Sequence, residues 1–554
     1  MEKRGKEAWF DAPSKPVKTF HSFDNENTPS RDKTDFKMSK DEENSVLFLV
    51  GSRMASTGAH GIPNIQRASN LWRRLIWVLL FCGGVSVVVW QVTTLIITFF
   101  SFGVDVNIDY VRQRAIKFPA VTVCNLNPVP ISKAGYVLNL ASDNPNSTSM
   151  FRGLLPHNNS ASESTGYQDW GNVNFDELDT RVSNLQVAQG IIGSTAYENR
   201  SETGHDLDDM LLDCDFENYP CTPGNFSHFY NYLYGNCFTF NSGEFEKLLT
   251  VSKVGPLYGL SLELYIQQSE YISSLQPSAG LRLLVHDQNE MPFPEDQGIN
   301  LAPGAHASVG LSMAYLERLG TPYTNCSSEF KPGNIFKDKF RHLDYSRSAC
   351  EKNCYFSEVM RVCGCADVKY NYNNSATPCD SDKAVCVSEV EENYTSGMLA
   401  CGCTMPCRQH IYEITVSEAS WPNIGYAETV ERNIEGVSDD LMERVHDEGA
   451  ETFISNNVLK VTIFYESLQY EYIYQTAAYG IYSLISDLGG QIGLWIGVSI
   501  LTIFEFIELV YDLIKLICLR VTDPHMKKKS SQNNSKQNNV MSLEGRTNSL
   551  FGDR

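Results

Sequence analysis

Long apolar runs are scarce in this chain. Only two segments of its 554 residues are apolar enough to suggest a membrane, and no third candidate exists. G-x-S-x-G, H-E-x-x-H and P-loop patterns are absent, so nothing marks a hydrolase nucleophile, a zinc protease or a phosphate cradle. An anchored ectoenzyme therefore lacks support, and neither a catalytic residue, a metal ligand set nor a cofactor is expected. No repeat of solenoid period is present. Positive charge is in deficit, with 45 Lys and Arg against 66 Asp and Glu and a net charge of −21. Such a chain repels a phosphate backbone, which excludes nucleic acid as a partner. With 42% hydrophobic and 20% charged residues, disorder, collagen and coiled coil are excluded for the whole chain.

The first apolar run, Leu75 to Phe100, holds 26 residues without a charge (LIWVLLFCGGVSVVVWQVTTLIITFF). A helix of that length crosses about 30 Å of hydrocarbon. It is too long for a signal peptide and starts too far from the N-terminus. The second begins near Tyr479 and reaches Leu519 around the uncharged stretch LGGQIGLWIGVSILTIF. Arg73 and Arg74 precede the first span, and Lys515, Arg520 and Lys527 to Lys529 follow the second. Cationic flanks mark the cytoplasmic side. Two spans in a lipid bilayer, with both termini inside, put residues 101–479 outside.

Cysteine, by contrast, is abundant. Of sixteen, Cys82 and Cys518 fall in the spans, and the other fourteen lie between Cys124 and Cys407. An even number on the oxidising side is what a disulfide framework requires. The sequons at Asn146, Asn158, Asn199, Asn225, Asn325, Asn373 and Asn393 fall in the same block, as glycosylation acceptors should. Asn533 lies in the C-terminal tail, where it would be silent. Cys350 and Cys354 share a helix face, and Cys401 and Cys403 share a strand face. They can close two antiparallel rungs, Cys350 to Cys403 and Cys354 to Cys401. Cys363 and Cys365 can close inside them onto Cys386 and Cys379, with Cys326 to Cys407 outermost. Other connectivities remain open, and zinc ligation by Cys-x-Cys is the rival chemistry.

Segments rich in alternating β-branched residues read as strands: FPAVTVCNL (118–126), FTFNSG, LSLELYIQQSEY, LRLLVHDQ and Leu459 to Gln475. Residues 141–203 read as a polar excursion with short helices. The strand-like ends at 101–112 and 459–475 connect directly to the two spans.

The second span is chemically odd. Glu505, Glu508 and Asp512 fall within an arc of roughly 60° on one helix face. Carboxylates in a bilayer cost about 2.5–3.5 kcal/mol each and are functional candidates by default. Several copies around an axis would form rings of negative charge, the construction of a cation pore. Upstream, the glycines of Gly489-Gly490-Gln491-Ile492-Gly493 and Gly497-Val498-Ser499 weaken a helix. In a membrane this is tolerated where backbone lines a cavity or packs on a neighbour. An adhesion protein would explain the cysteines and sequons but not the carboxylate stripe.

Across most of residues 45–520 the chain resembles the degenerin/epithelial sodium channel superfamily. The motifs are His60-Gly61, Phe118-Pro119-Ala120-Val121-Thr122-Val123-Cys124-Asn125, and Gly204-His205 with Asp209-Met210. They continue with Tyr234-Gly235-Asn236-Cys237-Phe238-Thr239-Phe240-Asn241, Cys363-Gly364-Cys365, Trp421-Pro422 and Gly489 to Leu494. The Gly-x-Ser filter is met by Gly497-Val498-Ser499, with valine where the family has alanine, serine or cysteine. The resemblance implies an α+β membrane protein: a homotrimeric, sodium-preferring channel of the plasma membrane, blocked by amiloride. Its extracellular domain would have palm, β-ball, finger, thumb and knuckle parts. It implies a cytoplasmic tail with a re-entrant segment at 1–74, spans at 75–100 and 480–519, an extracellular domain at 101–479, and a cytoplasmic tail at 520–554. Cys124–Cys237 and Cys214–Cys221 carry over as disulfides, followed by the nested ladder. His60 and Gly61 match the segment that influences gating, and Ser486, before Asp487, matches the position where bulky residues lock these channels open.

Within the superfamily, Met291-Pro292-Phe293-Pro294 and Leu281 to Gln288 resemble FMRFamide-gated sodium channels. The segment DVNIDYVRQRAIKF lacks the histidines of acid-sensing members, and Tyr323 replaces their tryptophan. An extracellular amidated neuropeptide is therefore the expected stimulus, with acid-sensing or constitutive opening as the alternative. A cationic, amidated peptide suits an acidic aromatic surface. Asp206, Asp208, Asp209, Asp213, Asp215 and Glu217, interleaved with Phe216 and Tyr219, are expected to form one in the finger; an ordinary solvated acidic helix face has the same composition.

Overall fold

The computed structural model describes residues 46–140, 145–155, 175–245, 247–372, 376–435 and 439–522. The chain divides into two compact units, one comprising the residues up to Ile96 and from Ile485, the other Ile97–Leu484. The first unit begins with α1 (Val46–Ser56), α2 (Ile62–Arg67) and α3 (Leu71–Phe100). Beyond Arg74, α3 carries no charge on any side, and Leu79, Leu80 and Trp90 are exposed. A helix without a polar face suits hydrocarbon, and α3 is long and apolar enough to cross a membrane.

The second unit is built on two antiparallel-rich sheets. Its strands are β1 (Val104–Arg112), β2 (Ala120–Asn125), β3 (Leu211–Phe216), β4 (Phe226–Asn231), β5 (Gly235–Phe240), β6 (Leu260–Tyr265), β7 (Leu281–His286), β8 (Ala305–Glu317), β9 (Arg408–Ser420), β10 (Val458–Tyr465) and β11 (Gln469–Ala477). The eight-stranded sheet runs β1-β11-β8-β10-β6-β3 and ends on Tyr219–Pro220, with β9 paired to β8. The five-stranded sheet runs Ile299–Leu301, β7, β2, β5, β4. Every residue of β2 is buried, so the FPAVTVCN stretch is covered on both faces. Phe118, Val121, Leu262, Val309 and Leu459, contributed from both sheets, are at most 1% exposed in one shared core.

The helical part of this unit holds α4 (Phe175–Gly193), α5 (Arg347–Cys363) and α6 (Ala384–Thr395). Ser346 caps α5 by accepting from the Ala349 N–H, and Gly364 (φ 72°) ends it in the left-handed region. Seven disulfides tie the unit together: Cys124–Cys237, Cys214–Cys221, Cys326–Cys407, Cys350–Cys403, Cys354–Cys401, Cys363–Cys386 and Cys365–Cys379. With all fourteen of these cysteines oxidised, no thiolate of that set is available for the rival zinc chemistry.

Three expectations change. The run from Leu459 to Gln475 is two strands, because Glu466–Leu468 turns between β10 and β11. LSLELYIQQSEY stops being strand at Tyr265, where Gln267 takes φ 56° and a short 3-10 turn follows. The excursion after residue 141 contains α4, 19 residues long rather than short. The chain then returns to the first unit as α7 (Ile481–Ile496) and α8 (Ile500–Thr522).

Candidate functional site

The expected second span is broken. α7 and α8 together are apolar enough for one crossing but bend by 73° at the break. Gly497 accounts for it with φ 71°, a conformation glycine adopts without strain. Ser499 then starts α8. The Thr502 N–H donates to Ser499 Oγ at 3.3 Å, and the Ser499 N–H donates to Thr502 Oγ1 at 3.2 Å. This reciprocal pairing is a capping box, so the serine of Gly-x-Ser has a local structural task. A Ser and a Thr three residues apart are a helix-start signal legible in the sequence. Val498 sits between Gly497 and Ser499, part-exposed.

His60 lies against the break. Its backbone N–H donates to the Ile496 carbonyl at 2.6 Å, and a Cβ on Gly497 would fall 2.4 Å from His60 Cγ. Gly61, at φ 90°, makes the reversal that brings His60 there and leads into α2. Two glycines on different segments thus permit a single close approach. Gly84 of α3 allows another: its added Cβ would meet the Trp495 carbonyl at 3.3 Å, beside a Trp495 Nε1 to Gln91 Oε1 hydrogen bond of 3.0 Å. Gly489, Gly490 and Gly493 have nothing within 4 Å of an added Cβ among the described residues. Ser486 and Asp487 lie exposed on α7.

The expected open carboxylate face is changed by the segment before the first span. Arg53 Nη2 reaches Glu508 Oε1 at 2.8 Å and Asp512 Oδ2 at 2.9 Å. Thr57 Oγ1 and the Gly58 N–H each donate to Glu505 Oε2 at 3.1 Å. Glu505 and Glu508 are therefore engaged, and Asp512 shares Arg53 with Glu508. Nothing in the spacing of Arg53 singled it out beforehand.

In the second unit, the strand that follows α3 and the strand that precedes α7 are paired with each other. β1 and β11 are antiparallel in continuous register from Val104↔Ala477 to Arg112↔Gln469. The loop before Cys326 touches Gln475 of β11 and Phe102, two residues before β1. The Leu319 N–H donates to Gln475 Oε1 at 3.1 Å, and the Tyr323 ring packs edge-on against Phe102 at 5.5 Å.

The acidic stretch Asp206–Tyr219 is not one surface. Only Leu207–Met210 is helical, with Asp206 as its N-cap, and Asp213, Asp215 and Phe216 lie in β3 of the larger sheet. Alternation turns Phe216 inward, where it packs on Phe118 and Phe240 at 5.0 and 5.5 Å. Its ring is unavailable to a ligand. Glu217 and Tyr219 sit at the following turn, with Tyr219 75% exposed, and Asp208 stays on the helix surface. Burial, helped by Asp206, raises the Asp209 carboxyl; burial, helped by Glu263, raises Asp213.

A cavity of about 510 Å³ lies elsewhere in this unit, lined among others by Asp287, Glu290, Tyr315, Arg318, Tyr345 and His410. His410 Nδ1 contacts Asp287 Oδ2 at 2.5 Å. Burial pushes the Asp287 carboxyl up, but the bond from His410 and the Asn289 N–H hold it below its ordinary value overall. Burial, reinforced by the Asp287 charge, pushes Glu290 up to about 7.

Asn199, Asn225, Asn325 and Asn393 are exposed. Asn146 lies in a helix at Pro145–Leu154. Asn158, Asn373 and Asn533 fall outside the described residues, as do the tails 1–45 and 523–554.

Comparison with known proteins returns the family described as "Amiloride-sensitive sodium channel", matched over residues 54–509. Epithelial sodium channel subunit gamma of Xenopus laevis is 27% identical, covering 82% of this chain and 79% of that protein. Epithelial sodium channel subunit beta of the same animal is 26% identical over 84% of this chain and 83% of its own length. Degenerin unc-8 of Caenorhabditis elegans is 31% identical over 59% of this chain and 42% of that protein.

Proposed function

Since the chain belongs to the amiloride-sensitive sodium channel family and is a sodium channel of the degenerin and epithelial superfamily, we propose that it forms a homotrimer opened by an extracellular FMRFamide-type peptide and blocked by amiloride. Both termini are cytoplasmic, α3 is the first span, and α7 with α8 is the second. The observation that carries the pore assignment is the break at Gly497-Val498-Ser499 within an otherwise apolar span. Irregular backbone at membrane depth is tolerated where it lines a water-filled path or is buried in protein. Three copies would form the constriction there, with Glu505 and Glu508 giving the inner pore its cation preference. The open surroundings of Gly489, Gly490 and Gly493 suit either pore lining or contact with neighbouring subunits.

Peptide gating is supported by Leu281–Gln288 and Met291–Pro294. These stretches flank the 510 Å³ cavity, to which Asp287, Gln288 and Glu290 belong. The Tyr315 and Tyr345 rings suit the aromatic side chain of such a peptide, while Asp287, Glu290 and Asp344 share the lining with Lys117, Arg318, Arg347 and Arg408. Ligand preference for the open state must reach the pore through the paired β1 and β11. Tenfold preference per site gives about 1.4 kcal/mol, and three sites roughly 4 kcal/mol, enough to take a rarely open pore to mostly open.

A second reading is favoured by the relatives' names: a constitutively conducting subunit of epithelial type. Expression alone in oocytes separates the readings. Peptide-evoked, amiloride-sensitive sodium current supports the first. Resting current without peptide transfers the assignment to the second, and current on acidification alone transfers it to an acid-sensing channel.

A further inference from the structure

Among the described residues, Lys352 of α5 is the one lysine that is buried. Its side chain is 7% exposed, and that of Glu295 opposite it 4%. The ammonium stands 3.1 Å from Glu295 Oε1 and 3.0 Å from Asp296 Oδ2, and donates to the Tyr370 hydroxyl at 2.9 Å. Its three donors are thereby used. The Phe293 and Tyr370 rings cover it at 4.8 and 5.1 Å. The second Glu295 oxygen accepts from Asn231 Nδ2 at 2.7 Å, at the end of β4. Burial pushes the Lys352 ammonium down, but Glu295 and Asp296 hold it above its ordinary value, so it stays charged.

Breaking one partner of a buried ion pair is costly, whereas replacing the whole set by neutral groups of similar shape is often neutral. Such a set is weak evidence of stability, and its best-attested use is to fix register. Here register has a consequence. Lys352 lies two residues from both Cys350 and Cys354, whose disulfides run to Cys403 and Cys401. Two residues are about 200° of helix, so the disulfides fix one side of α5 and the ammonium the other. Glu295 and Asp296 belong to the loop after β7. Arg282 clamps that loop too, donating to the Pro294 and Gln297 carbonyls at 2.9 and 2.8 Å. Both partners lead into the 510 Å³ cavity: Asp287, Glu290 and Gln297 line it from the loop, Tyr345 and Arg347 from the start of α5. These walls meet where the Asp344 N–H donates to the Asn289 carbonyl at 2.7 Å.

We propose that Lys352 is a positioning residue that registers α5 against the 287–297 loop and so holds two walls of the cavity at one spacing. Lys352 does not itself line the cavity and acts only through those walls. The functional half of the inference rests on the reading of this cavity as the peptide site.

Two arms test it in the full chain. They compare Lys352→Arg, which keeps the charge, with a neutral set, Lys352→Met with Glu295→Gln and Asp296→Asn, which leaves no buried charge unpaired. The first arm is hydrogen exchange on the purified channel without ligand. The reporting amides are those of Asp296 and Gln297, bonded to the Phe293 carbonyl at 3.0 and 3.1 Å, and that of Asp344. In the neutral set they should exchange about tenfold faster while the melting midpoint is kept. Lys352→Arg should exchange as wild type does. Unchanged exchange in the neutral set overturns the proposal. So does a general rise with a lowered midpoint, which would make the cluster an ordinary stabilising contact.

The second arm applies FMRFamide to oocytes. Walls correctly spaced a tenth of the time bind about tenfold more weakly, so the neutral set should raise the half-activating concentration by that factor. Maximal current per surface channel should stay at the wild-type level, as should both quantities in Lys352→Arg. An unchanged half-activating concentration, with the peptide opening both channels, overturns the role of Lys352 and spares the peptide site. Silence of the wild type to FMRFamide fails the peptide reading alone, and the exchange arm then decides whether Lys352 registers the walls.

Discussion

The ring of Tyr323 stands edge-on to that of Phe102, with centroids 5.5 Å apart. Phe102 takes φ 49°, a left-handed conformation that costs a non-glycine residue about 1 kcal/mol. Ring contacts with Phe99 at 6.5 Å, Phe100 at 6.1 Å and Tyr323 offset that cost. Three residues past Tyr323 lies Cys326, bonded to Cys407, and four residues before it Leu319 is bonded to Gln475. A movement of the cysteine-rich part therefore has a short path to the residues that follow α3 and precede α7 in the chain.

Tyr323→Ala should weaken stimulus-evoked opening. An edge-to-face pair contributes about 0.5–1.5 kcal/mol, so the open-to-closed ratio at saturating stimulus should fall by up to roughly tenfold. Tyr323→Phe keeps the ring and should behave as wild type. Current normalised to surface protein checks it; an unchanged maximum in the alanine variant would remove Tyr323 from the coupling path.

Gly497→Ala adds a methyl group where two constraints converge, the left-handed φ of 71° and the 2.4 Å approach to His60 Cγ. Helix propensity alone would favour alanine, so propensity and local geometry oppose each other here. The clash should win, because His60 is held by its backbone bond to Ile496. Sodium current should drop at least about tenfold at equal surface expression, for an opening penalty near 1.4 kcal/mol. His60→Ala in the same chain removes the ring and should recover part of it. A single alanine variant with wild-type current and selectivity would refute this account.

Which parts of this arrangement could be read from the sequence depended on how local their causes are. The apolar run of α3, the strand character of β2, β5 and β7, and the i, i+4 spacing of Cys350 and Cys354 are short-range properties. A period or a spacing displays them. Arg53 meeting Glu508 and Asp512 joins residues more than 450 positions apart. No periodicity links them. Phe216 differs for a related reason: its acidic neighbours suggest an exposed acidic aromatic surface, whereas pairing of β3 with β6 makes the stretch a strand and turns the ring inward. The turn at Glu466–Leu468 was hidden because β10 and β11 continue one alternating pattern on either side of it.

The disulfide framework should govern maturation. Cys350–Cys403 joins α5 to a residue 53 positions away, and such a closure typically contributes about 2–4 kcal/mol. Cys518 lies in α8 outside the disulfide set. Cys350→Ser should therefore cut surface expression several-fold more than Cys518→Ser does, as surface biotinylation would report. Equal surface levels would mean that the ladder adds little to folding.

Glu290 supplies the pH dependence with a sign that can be worked out. Its carboxyl moves from an ordinary 4.5 to about 7 in the folded chain. Between those values the folded state holds the proton more tightly than the unfolded state does, so stability falls as pH rises across that window. At one pH unit per 1.4 kcal/mol, the full loss is on the order of 3 kcal/mol. Buried His286, lowered to about 4, works in the opposite direction: it must stay neutral, so acid below its ordinary 6.5 destabilises. The two partly cancel in the wild-type profile, and only a difference isolates Glu290. Glu290→Gln should match wild type near pH 4.5 and become progressively more heat-stable than wild type up to pH 7, with a constant gap above. Thermal unfolding of the purified full chain at several pH values measures that gap. A difference that does not change between pH 4.5 and 8 would place the Glu290 carboxyl in a solvated setting, against the burial that raises it here.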